Sequence, residues 1–266
     1  NLTGGMVLLT DIAIDSGIEP WNPINVDSNF IFDGRFNTIT LNLDYGKVNR
    51  ESAIGLFNDY NYAIVKNLVL DGSITANTTG YMGALAGSMY RSTVSKVISY
   101  VDVTNICTES GYTGGISGYF GGKHSGGLYS LIENTAVYAD VSGCHAGGLV
   151  GRGWNGTQYY DINISVYVGN VTGTAYQGAI IGYHGNKTNV TNCTFKDVYF
   201  NEADGLGFVG GGGENYTLDS TVGNRSLEQF ASGEITYILN HEVSDGTQCW
   251  FQNIDNGEPK DAYPLL

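Results

Sequence analysis

The side chains able to do chemistry in this 266-residue chain are few and scattered. Histidines stand at His124, His145, His184 and His241, cysteines at Cys107, Cys144, Cys193 and Cys249. Nucleophilic catalysis needs a Ser or Cys held against a base that a third group orients. No histidine has such a neighbour in a recognisable spacing, and Cys144-His145 are adjacent in sequence rather than paired across space. His145 and His184 both flank glycine-rich blocks, which predicts that they share one side of the molecule. The cysteines show neither CxxC nor Cys/His spacing, so no zinc site is expected. In an oxidising compartment they can form disulfides, and Cys107 with Cys144, in neighbouring repeats, is the pair to consider. Free, half-buried thiols are the other reading.

The candidate carboxylates are Asp33 (beside Arg35), Asp71, Asp102, Asp140, Asp161 and Asp197. Asp102 and Asp140 occupy similar places in VDVT and ADVS and predict a vertical acidic ladder. Such a ladder offers oxygen ligands to Ca²⁺, but the glycine-aspartate nonapeptide of calcium-binding rolls is absent, so a solvated face is preferred. No catalytic residue, metal site or cofactor is assigned.

Tyrosine, present 19 times, is more informative. Tyr81, Tyr90, Tyr112, Tyr119, Tyr159, Tyr160, Tyr176 and Tyr183 crowd around the glycine blocks. Rows of such rings stack on sugars or anchor proteins, or they simply stiffen the fold by stacking on one another. Asn-x-Ser/Thr acceptor triplets begin at Asn1, Asn77, Asn155, Asn163, Asn170, Asn186, Asn189, Asn192, Asn215 and Asn224. Chance at this composition gives about four, so either glycosylation or a Thr- and Asn-rich strand pattern is at work.

What must position these groups is a repeat. GALAG (83–87), GGISG (114–118), GGLVG (147–151) and GAIIG (178–182) end at Gly87, Gly118, Gly151 and Gly182; IGLFN ends at Asn58 and LGFVG at Gly210. The intervals are 29, 31, 33, 31 and 28 residues. The repeat glycines are thus Gly55, Gly83, Gly87, Gly114, Gly118, Gly147, Gly151, Gly178, Gly182, Gly207 and Gly210. Between blocks run alternating, β-branched stretches such as TVSKVISYVDVT (93–104) and TNVTNCTFKDVYF (188–200), which read as half-buried strands. A strand-rich turn of this length cannot bury its apolar face alone, and stacking successive turns makes a continuous core. The prediction is a right-handed parallel β-helix, or β-solenoid, of about six coils. Glycine supplies positive φ at corners and close approach between coils, and the apolar residue between the glycines points inward. No 20-residue apolar span or phosphate loop is present, and the GGGG run at 210–213 reads as a solvent loop.

A net charge of −14, from 12 basic and 26 acidic residues, disfavours nucleic acid, whose binding rests on Lys and Arg at phosphates. The longest apolar runs are too short to insert into a membrane. The chain starts at Asn1, which reads as a processed or excised segment.

The glycine blocks resemble the GLUG repeats of microbial surface proteins, GGLVG most closely. FIFDGRFNTITLNL (30–43), through Phe32-Asp33-Gly34 and Ile39, is similar to the coil that often precedes such repeats, with Phe36 in place of its last glycine. RSLEQFASGEITYILN (225–240), WFQNID (250–255) and DAYPLL (261–266) resemble the element that follows them, and Ser226 is a good helix N-cap. The resemblance implies a non-catalytic, adhesin-like role on an extracellular or cell-surface protein. The chain divides into a solenoid over 1–222, with its strongest repeats at 54–212, and a capping element with a short helix over 223–266, expected to cover the end of the stack. The expected function is an adhesion or stalk module that binds a host or neighbouring-cell glycan or protein. The alternatives are a glycosylated subunit that self-associates into fibres and a polysaccharide-active β-helix enzyme.

Overall fold

A computed structural model describes residues 4–16, 21–26, 29–50, 53–122, 130–154, 160–185, 193–201, 206–213, 216–241, 248–255 and 260–266. Every strand ladder in it is parallel, because each strand pairs with its counterpart one coil away. Along one ladder the partners are Phe57, Ala86, Ser117, Val150, Ile181 and Val209, at intervals of 29, 31, 33, 31 and 28 residues. These are the intervals of the glycine marks. The chain is a parallel β-solenoid of about five turns. Strands Gly5–Val7, Ile12–Asp15 and Ile24–Val26 add a partial coil before the first of them.

Alternation fills the interior. Phe32, Val65, Val94, Ile132, Ile162 and Phe195 stand opposite one another on successive coils, all buried. Each glycine block turns a corner between two short strands, for example Tyr81–Gly83 and Ala86–Tyr90. The residue between its glycines points inward: Leu85, Ile116, Leu149 and Ile180 are fully buried. Their amides donate to the carbonyls of the next coil, Leu85 N to Ile116 O and Leu149 N to Ile180 O.

The glycines serve one of the two roles predicted for them. None of the repeat glycines has a positive φ. What they provide is proximity. A Cβ on Gly87 would lie 2.3 Å from Ala53 Cβ, on Gly118 2.2 Å from Met82 N, on Gly151 2.4 Å from Thr113 N, on Gly182 2.6 Å from Ala146 C, and on Gly210 2.4 Å from Gln177 C. In each case the neighbour belongs to the preceding coil's other arm. The two arms of the corner therefore meet backbone to backbone, far closer than the roughly 10 Å of ordinary stacked sheets.

Left-handed backbone is found at the opposite bend, on residues other than glycine. Asn67, Lys96, Asn134, Ile164 and Asp197 have φ between 46° and 56° and interrupt the ladders at the same place in five coils. Buried hydroxyls tie this bend together: Thr135 Oγ1 donates to Glu133 O (2.9 Å) and Ser165 Oγ to Asn163 O (2.7 Å).

The C-terminal element departs from the expected cap. It has two helices, Leu227–Ala231 (α1) and Glu234–Leu239 (α2), separated by Gly233 at φ 83°. Ser226 is the N-cap of α1, as the sequence predicts, and with Gln229 it forms a capping box. Only its first residues, Gly223 and Asn224, pair onto the last coil; the helices do not sit over the end of the stack. Phe230, Ile235, Leu239 and Trp250 pack along its flank, on an outward row of Ile98, Ala136, Val166 and Tyr199 drawn from four coils. Tyr263 stacks on Tyr138 at 4.9 Å, and Trp250 Nε1 donates to Asn134 Oδ1 at the left-handed bend. Apolar residues continue on the outer face beyond that bend, so the flank is the surface in need of cover.

Candidate functional site

At the glycine corner both arms carry aromatic rings outward. Tyr81, Tyr112, His145 and Tyr176 stand in one register row, and Ser88, Tyr119, Arg152 and Tyr183 in another. Because the arms touch, the rows merge into one strip. Tyr81 stacks on Tyr112 at 5.8 Å and Tyr112 on His145 at 4.5 Å, and His145 lies 5.4 Å from Tyr176. Across the rows, Tyr81–Tyr119 is 5.1 Å, His145–Tyr183 5.8 Å and Tyr176–Tyr183 5.4 Å, while Trp154 extends the strip from Tyr119 at 6.4 Å. These rings are half-buried, with Tyr176 41% exposed, so faces and edges reach solvent over four coils.

One cation is set into the strip. The Arg152 guanidinium lies 4.9 Å from the Tyr112 ring centre, 5.0 Å from Trp154 and 5.9 Å from Tyr183. Burial raises the Tyr112 hydroxyl above its ordinary pKa, opposed in part by Arg152, and burial likewise raises Tyr119. His145 is pushed down by burial, against the effect of its bond to Gly111 O, with Arg152 adding to the depression. That bond, 3.0 Å from Nδ1 to a carbonyl, assigns the proton to Nδ1. The strip therefore offers neutral rings, hydroxyls and a single positive charge.

The sequence contains the signal for this surface. Tyr81, Tyr112, His145 and Tyr176 each lie two residues before the first glycine of a block; Tyr119, Arg152 and Tyr183 each lie one after the last. The other singled-out tyrosines go elsewhere. Tyr90 stacks against Arg91 at another corner, Tyr160 is in the core, and Tyr159 is outside the described residues.

His145 and His184 do not share a side. His145 lies outward, whereas His184 is fully buried, 2.6 Å from the Tyr160 hydroxyl. Position explains the error: one precedes its glycine block by two residues, the other follows by two, and strand alternation sends them to opposite faces. Cys193 is also in hydrogen-bond contact with Tyr160, and burial pushes its thiol up to about 12. A Cys-Tyr-His cluster thus exists, but sealed in the core and with the thiol protonated. His241 follows α2 on the surface, and His124 lies outside the described residues.

The bridge considered between Cys107 and Cys144 is not formed, and all four cysteines are free. Cys144 is buried within Val141–Gly147, whereas Cys107 sits past the end of Asp102–Asn105, its amide donating to Asn105 Oδ1. The acidic ladder is present, but backbone uses it. Asp102 Oδ1 accepts Asp140 N (3.0 Å), and Asp140 Oδ1 accepts both N (2.9 Å) and Nδ2 (3.0 Å) of Asn170. Among the described residues no three His, Cys, Asp or Glu side chains are grouped to hold a metal. Asp33 forms its ion pair with Lys66 at 3.6 Å, and from Arg35 it accepts the backbone amide (3.0 Å). The glycines at 210–213 are not a free loop but a rung of the solenoid, with Gly213 N donating to His184 O and His184 N to Gly211 O.

Of the acceptor asparagines, Asn170 and Asn224 are exposed and Asn77 and Asn163 half-buried. Asn1, Asn155, Asn186, Asn189, Asn192 and Asn215 lie outside the described residues. No helix is long and apolar enough to cross a membrane.

No family model and no curated protein matches the chain. A crystal structure from Bacteroides ovatus, named there "putative immunoglobulin A1 protease", superposes with a TM-score of 0.63 over 100% of this chain and 86% of its own, at 18% identity. At that identity the likeness concerns the fold.

Proposed function

We propose that the chain is a non-catalytic module of an extracellular or cell-surface protein, with the aromatic strip at its glycine corner as a binding surface for glycan. One observation carries this reading: half-exposed rings from both arms form one continuous surface over four coils, next to backbone too tightly packed to deform. Flat aromatic faces suit the apolar faces of pyranose rings, and their hydroxyl edges suit sugar hydroxyls. The resemblance of the glycine blocks to GLUG repeats supports a surface-protein context. Burial of the Cys193-Tyr160-His184 cluster, and the engagement of Asp102 and Asp140 with backbone amides, support a role without catalysis.

A glycan array probed with the wild-type protein and with Tyr112→Ala tests it. Losing a central ring costs about 2 kcal/mol, roughly thirtyfold in Kd. Array signals that persist unchanged in Tyr112→Ala would contradict the reading, as would turnover of a bound polysaccharide.

The fibre reading also has an observation in its favour. Among the described residues, Gly5–Val7 and Ile12–Asp15 pair on one side only, and Met6, Val7, Leu9 and Ile12 are exposed there. That open edge is suited to another strand. Light scattering that shows monodisperse monomers would argue against it.

A further inference from the structure

We infer that the strip is selective for acidic glycans, with the carboxylate of a uronic or sialic acid residue seated on Arg152; this rests on the glycan reading above. Arg152 occupies a place in its register row where the neighbouring coils carry Tyr119 and Tyr183. A ring thus stands on either side of it in the row, and the guanidinium between them keeps the stacking, since three rings hold it in place.

Among the described residues the cation has no counter-ion. Among the described residues the ion pairs are Lys66–Asp33 and Lys196–Asp197, and no carboxylate lies within 4.0 Å of Arg152. Its Nε is buried and makes no hydrogen bond among those residues. This occurs in a chain of net charge −14, where acidic side chains outnumber basic ones 26 to 12. A guanidinium with unfilled donors, partly out of water and framed by aromatic faces, matches a planar carboxylate with an apolar ring attached. A carboxylate-bearing pyranose has both parts: the acid meets Arg152, and the ring lies against Tyr112, Trp154 or Tyr183. Neutral sugars use only the stacking surface. Sulfated sugars carry charge without the planar two-oxygen edge.

The test is an array that carries sialylated, uronic-acid, sulfated and neutral glycans, with polyglutamate spotted beside them. It is probed with the wild-type protein, Arg152→Gln, Arg152→Lys and Tyr112→Ala, each checked for β-rich circular dichroism. The inference predicts wild-type binding to carboxylate-bearing sugars, about tenfold or more tighter than to their neutral counterparts. Arg152→Gln abolishes that preference, Arg152→Lys retains part of it, and Tyr112→Ala weakens acidic and neutral binding alike. Whether sialylated or uronic spots respond identifies the source of the acid. Equal binding of acidic and neutral sugars, or a preference that survives Arg152→Gln, overturns the inference while the glycan reading stands. So does a preference for sulfated sugars. Polyglutamate bound as tightly, and with the same dependence on Arg152, replaces the sugar with an acidic polypeptide. An array silent for every glycan overturns both readings.

Discussion

Gly151→Ala adds one methyl group, and the structure says where it goes. The new Cβ would lie 2.4 Å from Thr113 N, 2.7 Å from Tyr112 C and 2.8 Å from Thr113 C, where ordinary contact begins at 3.4 Å. The two arms must separate by about 1 Å. All three neighbours are backbone atoms of one strand, so no side chain can rotate away. Overpacking of this kind costs 1–3 kcal/mol, and the lack of a flexible neighbour places the cost near the upper end, about 3 kcal/mol. For a chain of this size that lowers Tm by roughly 6–9 °C. Gly207→Ala is the internal control. It belongs to the same repeat series, yet among the described residues its Cβ would meet only Val209 O at 3.3 Å, so a shift of a few tenths of an ångström suffices. Thermal melting followed by circular dichroism measures both. Equal Tm values for Gly151→Ala and the wild type, or equal losses for the two variants, would refute the claim that the repeat exists to bring backbones together.

Three other outcomes follow from the same structure. Lys96 occupies a left-handed conformation that Asn67 and Asn134 occupy in other coils, so Lys96→Asn raises stability by up to about 1 kcal/mol, seen as a Tm gain of roughly 2 °C. Trp250→Ala removes a fully buried anchor of the flank, a change worth about 3–5 kcal/mol, and limited proteolysis then cleaves within 223–266 while the β-rich dichroism of the coils persists. Folding lowers the pKa of His145 below 6.5, so the unfolded chain binds its proton more tightly. The resulting loss of stability is absent above about pH 6.5, grows as pH falls and is complete below the folded pKa; Tm therefore drops less between pH 7 and pH 5 in His145→Gln than in the wild type.

The period of the solenoid was legible because its glycines sit where only glycine fits, so their spacing is the coil length. Leu85, Ile116, Leu149 and Ile180 could be placed inside for the same reason. The bend at Asn67, Lys96, Asn134, Ile164 and Asp197 was not legible, since Lys and Ile carry no signature of left-handed backbone. The flank was missed because Ile98, Ala136, Val166 and Tyr199 were read within alternating strands. Beyond the bend, runs such as SVYV and DVYF are apolar on both faces, which marks strands covered on both sides. For the strip, tyrosine was the right residue type, but the rule that collects it, two residues before a block and one after, becomes visible only with the arms in register. Arg152 gave no sign of its importance in sequence. Its meaning comes from the three rings around it and from the lack of an acidic partner among the described residues.

The most direct measurement is a crystal structure of the protein grown with the glycan that gives the strongest array signal. Sugar density is expected along Tyr81, Tyr112, His145 and Tyr183, with a carboxylate at hydrogen-bond distance from Arg152. Sugar density elsewhere, such as the hollow of about 220 Å³ lined by Phe30, Tyr62 and Arg91, with the strip empty, would contradict it.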